Sequence, residues 1–200
     1  MNNTPTNMQT PYILETRDMH ATQLDIFSRL MSDRIIFLGG EVTAEAANII
    51  QGQLLFLDNL NHDPITLFIN SPGGSVYAGL GIYDTMRHIK SPVHTICTSM
   101  AMSMGAVLLI GGEKGHRACL PHGTIMIHQP SSQFDYAKFT SHEIQLKEMS
   151  RLKDILYECM AKDSGNTVED IESWCRDDFY MSPEKALELG FIDKIAEPEE

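Results

Sequence analysis

A serine set between small residues is the first feature with evident chemical potential. In Ala101-Met-Ser103-Met-Gly105, an alanine lies two positions before the serine and a glycine two positions after it. This spacing is similar to the G-x-S-x-G nucleophile elbow, in which a sharp strand-to-helix turn exposes the serine hydroxyl. A helix that starts at Ser103 would also offer unpaired N–H groups, that of Met104 first. The alternative is a serine that only caps the helix.

A second segment of this kind is the turn Asn70-Ser-Pro-Gly-Gly-Ser75. Pro72 fixes its own φ, and the two glycines permit positive φ and close approach of other groups. Such a turn can present backbone N–H groups to an anionic oxygen. It is neither a P-loop nor a dinucleotide-binding fingerprint, because both spacings are absent. An ordinary strand-to-helix turn is the alternative.

A serine nucleophile needs a base, and His128 is the best placed of eight histidines. It follows the apolar run Ile125-Met-Ile127 and therefore ends a strand, where crevices of α/β sheets form. An acid must orient the imidazole, and Asp177 or Asp178 can do so from an irregular segment between two short helices. A hydrogen-bonded loop histidine and a helix-capping carboxylate are the alternatives.

Short apolar runs alternate with helical patterns along the chain, and these elements must position the candidate residues. Strands are predicted at 34–38, 65–69, 93–97, 116–120 and 124–128. Helices are predicted at 24–31, 43–57, 76–86, 103–110 and 144–160, with two short ones starting near Thr167 and Ser182. Strand–helix alternation of this kind predicts an α/β domain with parallel strands.

Composition narrows the classes of function. A chain of 200 residues with 42% hydrophobic and 21% charged residues is typical of one folded domain, which we assign to residues 11–200 after a flexible tail or propeptide at 1–10. A net charge of −12 argues against nucleic-acid or anionic-membrane binding. The four cysteines fit neither a zinc site nor a disulfide framework, which indicates a reducing, cytoplasmic compartment. The weakly polar stretch Met100–Ile110 is too short to span a bilayer.

In their order along the chain, these segments resemble the ClpP family, the proteolytic subunits of ATP-dependent Clp proteases. The matching segments are Asp25–Leu30, Arg34–Leu38, Phe68–Gly74, Ile82–Met86, Ala101–Ala106, Met126–Pro130, and Met181-Ser182 followed by Gly190 and Asp193. Together they extend over about residues 11–195.

The resemblance implies a crotonase-like α/β fold of repeated strand–helix units with a protruding long-helix handle. It implies a serine endopeptidase in which Ser103 is the nucleophile, His128 the general base and Asp178 the acid, with Asp177 as the second choice for the acid. The backbone N–H groups of Gly74 and Met104 would form the oxyanion hole. The family uses no metal or cofactor in this subunit.

The resemblance also implies partners: unfolded polypeptides as substrates, further copies of the chain in heptameric rings stacked in pairs, and a separate AAA+ unfoldase. At the family's unfoldase-docking positions the chain keeps Phe68 but has Thr66, His88 and Ala118. The segment 131–138 replaces the family's glycine-rich strand, and 17–20 replaces its Arg-Gly-Glu-Arg. These differences leave the unfoldase and the double ring open.

Two other functions compete with the peptidase. A crotonase-type acyl-CoA lyase or isomerase would share the implied fold, but would not need Ser103 together with His128. A catalytically modified or structural subunit of a mixed ring would lack a member of the triad, and none is missing from this sequence.

Overall fold

The computed structural model describes residues 10–17, 20–131 and 139–196. Nine strands lie in these ranges: β1 (Tyr12–Arg17), β2 (His20–Asp25), β3 (Ile35–Gly39), β4 (Ile65–Ser71), β5 (Val93–Met102), β6 (Arg117–Cys119), β7 (Thr124–Ile127), β8 (Phe179–Met181) and β9 (Lys194–Ile195). The same ranges contain seven helices: α1 (Ile26–Ser32), α2 (Ala44–Leu60), α3 (Val76–His88), α4 (Met104–Ile110), α5 (Phe139–Ser164), α6 (Val168–Trp174) and α7 (Pro183–Glu188). The tail 1–9, residues 18–19 and nearly all of the substituted segment 131–138 lie outside the described residues.

One seven-stranded sheet organises the molecule. Its main path runs β3-β4-β5-β6-β9, and all neighbours on this path are parallel. β7 pairs in parallel with the carboxyl-terminal end of β5, and β8 adds to β7 in the antiparallel direction. β1 and β2 form a separate antiparallel pair. The predicted α/β fold class with parallel strands is confirmed.

The helices begin where side chains can cap them. Thr43 caps α2 and Ser75 caps α3, each by accepting a hydrogen bond from the amide three residues later. Thr167 and Asp170 form the capping box predicted for α6. The helix predicted over 24–31 is wrong at its start, because Leu24 lies in β2 and Asp25 caps α1.

The long helix α5 has two different halves. At 1.5 Å per residue its 26 residues span roughly 39 Å. The side chains of residues 143–147 are exposed, whereas Leu152, Leu156 and Met160 are buried against the domain. Since residues 143–147 cover more than one turn, the helix is exposed on all sides there, while its carboxyl-terminal half packs on the core. Within the described ranges, no helix combines the length and apolarity needed to cross a membrane.

A buried ion pair ties the far end of the sheet together. Arg117 is only 2% exposed, and its Nε and Nη2 donate to the two carboxylate oxygens of Asp193 at 2.8 and 2.7 Å. Its Nη1 donates to the carbonyl of Asp163 at the end of α5. One side chain thus links β6, α5 and the segment before β9.

Candidate active site

Strand register brings the three candidate segments to one edge of the sheet. Ser71 of β4 lies opposite Ala101 of β5, and Met102 of β5 lies opposite Met126 of β7. The carboxyl ends of these parallel strands therefore meet. Beyond the last register pair, the Ser103 amide donates to the Met126 carbonyl at 2.8 Å. The residues that follow each strand, including Ser103 and His128, are adjacent as a result.

Ser103 lies on a strained turn between β5 and α4. Its φ is +52° and its ψ is −121°, an uncommon combination for a residue with a side chain. Although Ser103 occupies the N-cap position of α4, its side chain makes no capping hydrogen bond. Its hydroxyl oxygen lies instead 2.8 Å from Nε2 of His128. This geometry favours a nucleophile elbow over a simple cap.

The elbow is possible because a glycine lies directly against it. A Cβ on Gly73 would come within 2.6 Å of the Ser103 Cβ and 2.8 Å of the Met102 carbonyl oxygen, and the φ of Gly73 is +99°. Gly74, with a φ of +150°, approaches Val42 so closely that a Cβ would lie 2.6 Å from its carbonyl oxygen. Both glycines of the turn are therefore required by close packing as well as by backbone angle.

Some backbone amides at this edge have no acceptor within the described residues, and two of them lie beside the serine turn. They belong to Gly74, in the turn after β4, and to Met104, the first residue of α4. A Cβ on Gly73 would lie 3.1 Å from the Met104 nitrogen, so the turn and the start of α4 are in contact. Unpaired amides beside a serine hydroxyl are the donor type that stabilises an oxyanion.

The carboxylate nearest to the imidazole is that of Asp178. His128 Nδ1 and Asp178 Oδ1 are 3.5 Å apart, longer than a hydrogen bond, and the Asp178 side chain is 60% exposed. Gln129 fixes the neighbouring backbone: its amide donates to the Cys175 carbonyl at 2.8 Å and its side chain to the Arg176 carbonyl at 3.1 Å. These bonds join the segment after β7 to the segment that carries Asp178.

A narrow apolar pocket lies beside the serine and the histidine. Its walls come from the first turn of α3, from α4, from the end of β7 and from the buried half of α5, and include Val76, Met104, Leu156 and Met160. Gly79 of α3 makes room for Met104, because a Cβ there would lie 2.1 Å from Cγ of the methionine. Its volume of about 20 Å³ holds roughly one water molecule, so an apolar side chain of a ligand could enter only if the walls moved apart.

Other reactive groups in the described residues are not arranged for catalysis. No group of three His, Cys, Asp or Glu side chains in those ranges could hold a metal ion. Cys175, whose backbone carbonyl accepts from the Gln129 amide, has a thiol whose pKa burial raises to about 12, so it stays protonated at neutral pH.

The family resemblance placed Ser103, His128, Gly74, Met104 and Asp178 in one site, with Asp177 as the second choice for the acid, and the structure brings the first five to the same edge. Sequence reasoning missed Gly79, which makes room for Met104, whereas Gly105 of the predicted elbow lets α4 approach Ser71. A glycine within a helical pattern was the available signal for Gly79.

Comparison with known proteins gives consistent results. A family model described as Clp protease matches residues 18–199. An ATP-dependent Clp protease proteolytic subunit of Bacteroides fragilis is 50% identical over 188 residues, which cover 92% of this chain and 89% of the relative. Proteins of the same description from Porphyromonas gingivalis (50% over 190 residues, 94% of this chain and 84% of the relative) and Deinococcus radiodurans (48% over 186 residues, 92% and 91%) are similar to it as well.

These similarities extend over nearly the whole chain and include every segment that forms the elbow, the glycine turn and the histidine strand. The expected family is therefore confirmed. The chain belongs to the Clp protease family and is a serine peptidase.

Proposed function

We propose that the protein is the proteolytic subunit of a Clp-type protease, a serine endopeptidase that cuts unfolded polypeptides into short peptides. The observation that carries this proposal is the strained Ser103 elbow, whose hydroxyl oxygen lies 2.8 Å from His128 Nε2. A serine hydroxyl hydrogen-bonded to an imidazole is the arrangement that acyl transfer requires. A helix-capping bond does not explain the position of this hydroxyl, because the side chain makes none.

In the proposed reaction, Oγ of Ser103 attacks the peptide carbonyl carbon while His128 Nε2 accepts the hydroxyl proton. The amides of Gly74 and Met104 stabilise the negative charge that develops on the carbonyl oxygen. The C–N bond then breaks as His128 returns the proton to the leaving amine. A water molecule, deprotonated by His128, hydrolyses the acyl-enzyme and restores Ser103.

Asp178 orients the imidazole in this mechanism. The separation of 3.5 Å from Nδ1 must shorten by roughly 0.5 Å to give a hydrogen bond. An exposed side chain can make this adjustment at low cost, and catalytic hydrogen bonds commonly tighten only when substrate is bound. Positive charge on the imidazole during acyl transfer would draw the carboxylate inward.

The proposed substrates are extended chains with an apolar residue before the cut. The pocket beside Ser103 has apolar walls formed by Val76, Leu156 and Met160, and this supports such a preference. We further propose that residues 11–200 work as one peptidase domain.

The partners in the proposal are other copies of the chain and an ATPase. Exposed apolar side chains on one face of α2 support self-association: Ile49, Phe56 and Leu60 are 61%, 52% and 61% exposed. Close to that face is an apolar cavity of about 430 Å³, and Phe27 and Phe37 are among the residues that line it. We propose heptameric rings, stacked in pairs, whose interior holds the active sites.

The relatives are named ATP-dependent, whereas this sequence contains no P-loop. ATP hydrolysis therefore belongs, in the proposal, to a separate AAA+ unfoldase. Burial of the Cys97, Cys119 and Cys175 thiols without a disulfide supports a reducing compartment, which we propose to be the cytoplasm.

Cleavage of a fluorogenic peptide by the full chain tests the function. We expect turnover by the wild type and by Ser99→Ala, a matched change four residues away on the exposed part of β5, and a loss of at least about 10³-fold in Ser103→Ala. Peptide turnover that survives Ser103→Ala would refute the peptidase. Conversion of an acyl-CoA that survives it would support the crotonase-type enzyme instead.

A further inference from the structure

A hydrogen-bonded cluster outside the triad connects α3 to α5. The Tyr77 hydroxyl, in the first turn of α3, donates to Glu148 Oε1 at 2.7 Å. Arg151 holds the same carboxylate with two bonds, from Nε to Oε2 at 2.8 Å and from Nη2 to Oε1 at 2.6 Å. We call Tyr77, Glu148 and Arg151 the clasp.

The clasp joins the two helices that contribute walls to the pocket beside the serine. Tyr77 follows Val76, which lines the pocket, and lies three residues after Gly74. Glu148 lies on α5 about two turns before the pocket residue Leu156. The start of α3 is therefore tied to the amino-terminal part of α5 by residues outside the pocket lining.

A second contact joins the same two helices nearer their carboxyl-terminal ends. The Tyr83 hydroxyl donates to Asp163 at 2.7 Å, and Arg87 pairs with that carboxylate at 2.5 Å. This contact fixes the carboxyl-terminal parts of α3 and α5. The amino end of α3 has the clasp and a Ser75 capping bond of 3.3 Å to hold it.

The carboxylate at the centre of the clasp is charged and lies at the surface, since the Glu148 and Arg151 side chains are 37% and 56% exposed. The hydrogen bonds from Arg151 and then from Tyr77 lower the pKa of Glu148 to about 2. Hydrogen bonds to ionised groups are roughly twice as strong as those between neutral groups. Tyr77 thus donates to a charged acceptor that also pairs with Arg151.

We infer that Tyr77 is a positioning residue: its bond to Glu148 fixes the start of α3 and, through it, the Gly74 amide beside Ser103. The inference rests on the proposed oxyanion role of Gly74. A glycine pair has little stiffness of its own, so the residues on either side must hold it. Val42 does so on one side of the turn and the clasp on the other.

Four variants of the full chain test the clasp: Tyr77→Phe, Glu148→Ala, the two combined, and Glu158→Ala as a control on the exposed side of α5. Removal of an oxyanion donor lowers kcat by about 10²–10³-fold. A donor that is only less firmly held should lower kcat by a smaller factor. We expect kcat to fall about 5-fold in Tyr77→Phe and in Glu148→Ala, with KM changed less than about 2-fold. The double variant should lose no more than the single ones, because both remove one contact.

Glu148→Gln gives a conservative comparison. Its amide oxygen still accepts from Tyr77, so kcat should recover most of the loss seen in Glu148→Ala. Unchanged kcat in Tyr77→Phe, additive losses in the double variant, or an equal loss in Glu158→Ala would each overturn the inference.

Hydrogen exchange separates this inference from the proposed function. In Tyr77→Phe, amides in the first turn of α3 should exchange about 5-fold faster, while those near Tyr83 keep their rates. Equal exchange in variant and wild type would overturn the clasp. Absence of peptide turnover in the wild type would instead refute the peptidase, and the exchange result would still report on the contact.

Discussion

Ser103 combines a strained backbone with a hydroxyl that faces the imidazole. A positive φ at a residue with a side chain costs roughly 1 kcal/mol and persists only where the surroundings impose it. Here the surroundings are Gly73 on one side and the Met126 carbonyl on the other, which accepts from the Ser103 amide. The same constraint that strains the residue keeps its hydroxyl out of the capping position and directed at His128.

The two neighbouring aspartates give a matched test of the proposed acid. Asp178→Asn should lower kcat by about 10² or more, since an amide neither fixes the imidazole tautomer nor stabilises its charge. Asp177→Asn should change kcat less than about 3-fold, because the imidazole pairs with Asp178. Steady-state kinetics of both variants on one fluorogenic peptide measure the difference. A larger loss in Asp177→Asn would reassign the acid.

Among the secondary-structure elements, the loops between β4 and α3 and between β5 and α4 have the strictest requirements. Each has to turn within a few residues while remaining in contact with the other. The ion pair of Arg117 with Asp193 serves a different purpose, because it joins elements on the far side of the sheet and contacts nothing near Ser103.

Loss of that ion pair should destabilise the fold without altering the chemistry. Asp193→Asn leaves a buried guanidinium without its counter-charge, and we expect a loss of about 3 kcal/mol in the free energy of unfolding. Asp154→Asn, on the exposed surface of α5, should change it by less than about 0.5 kcal/mol. Denaturant titrations compare the two variants with the wild type.

The loss in the free energy of unfolding caused by Asp193→Asn should also depend on pH. Partial burial raises the pKa of Asp193, but hydrogen bonds and charge from Arg117 outweigh it and lower the pKa to about 2. The ion pair therefore contributes fully above about pH 4, the ordinary carboxyl pKa, and its contribution disappears as pH falls toward 2. The difference in the free energy of unfolding between wild type and variant should therefore decrease as the pH falls from about 4 to 2. A difference that stays constant would contradict the assignment.

The long elements were predictable from sequence because each has a strong local pattern. α2, α3 and α5 show apolar residues at helical spacing, and caps such as Thr43 and Thr167 mark where helices begin. β8 and β9 were not predicted. They have three and two residues, too few for a periodic pattern, and form only because β7 and β6 are there to pair with them.

The hairpin of β1 and β2 was missed for a related reason. Tyr12 and Leu14 are exposed, so no burial pattern distinguishes this segment from a loop. In the site, residue types and order identified Ser103, His128 and a pair of aspartates. The choice between those aspartates and the contact of Gly73 with Ser103 depends on strand register, which no local pattern encodes.

At the scale of the whole molecule, the surface that the monomer leaves open is as informative as its core. The exposed face of α2 and the stacked rings of Phe37 and Phe68, 5.1 Å apart, form apolar surface that a lone protomer would expose to water. Surface of this kind marks a protein–protein interface. The proposed ring would cover it.

Charge on the α2 face should therefore disrupt assembly. Phe56→Glu puts a carboxylate where the proposed neighbour packs, and we expect native mass spectrometry to show a shift from an oligomer toward monomers at micromolar protein. Asn59→Asp, an exposed polar position on the same helix, should leave the oligomer intact. A wild-type chain that is a stable monomer would refute the ring.

The identity of the nucleophile is the centre of this account, and covalent labelling examines it most directly. The full chain is treated with a fluorophosphonate, digested, and the modified peptide identified by mass spectrometry. We predict one adduct, on Ser103, that is absent from Ser103→Ala and strongly slowed in His128→Ala. An adduct on a different serine, or labelling that persists in Ser103→Ala, would contradict the account.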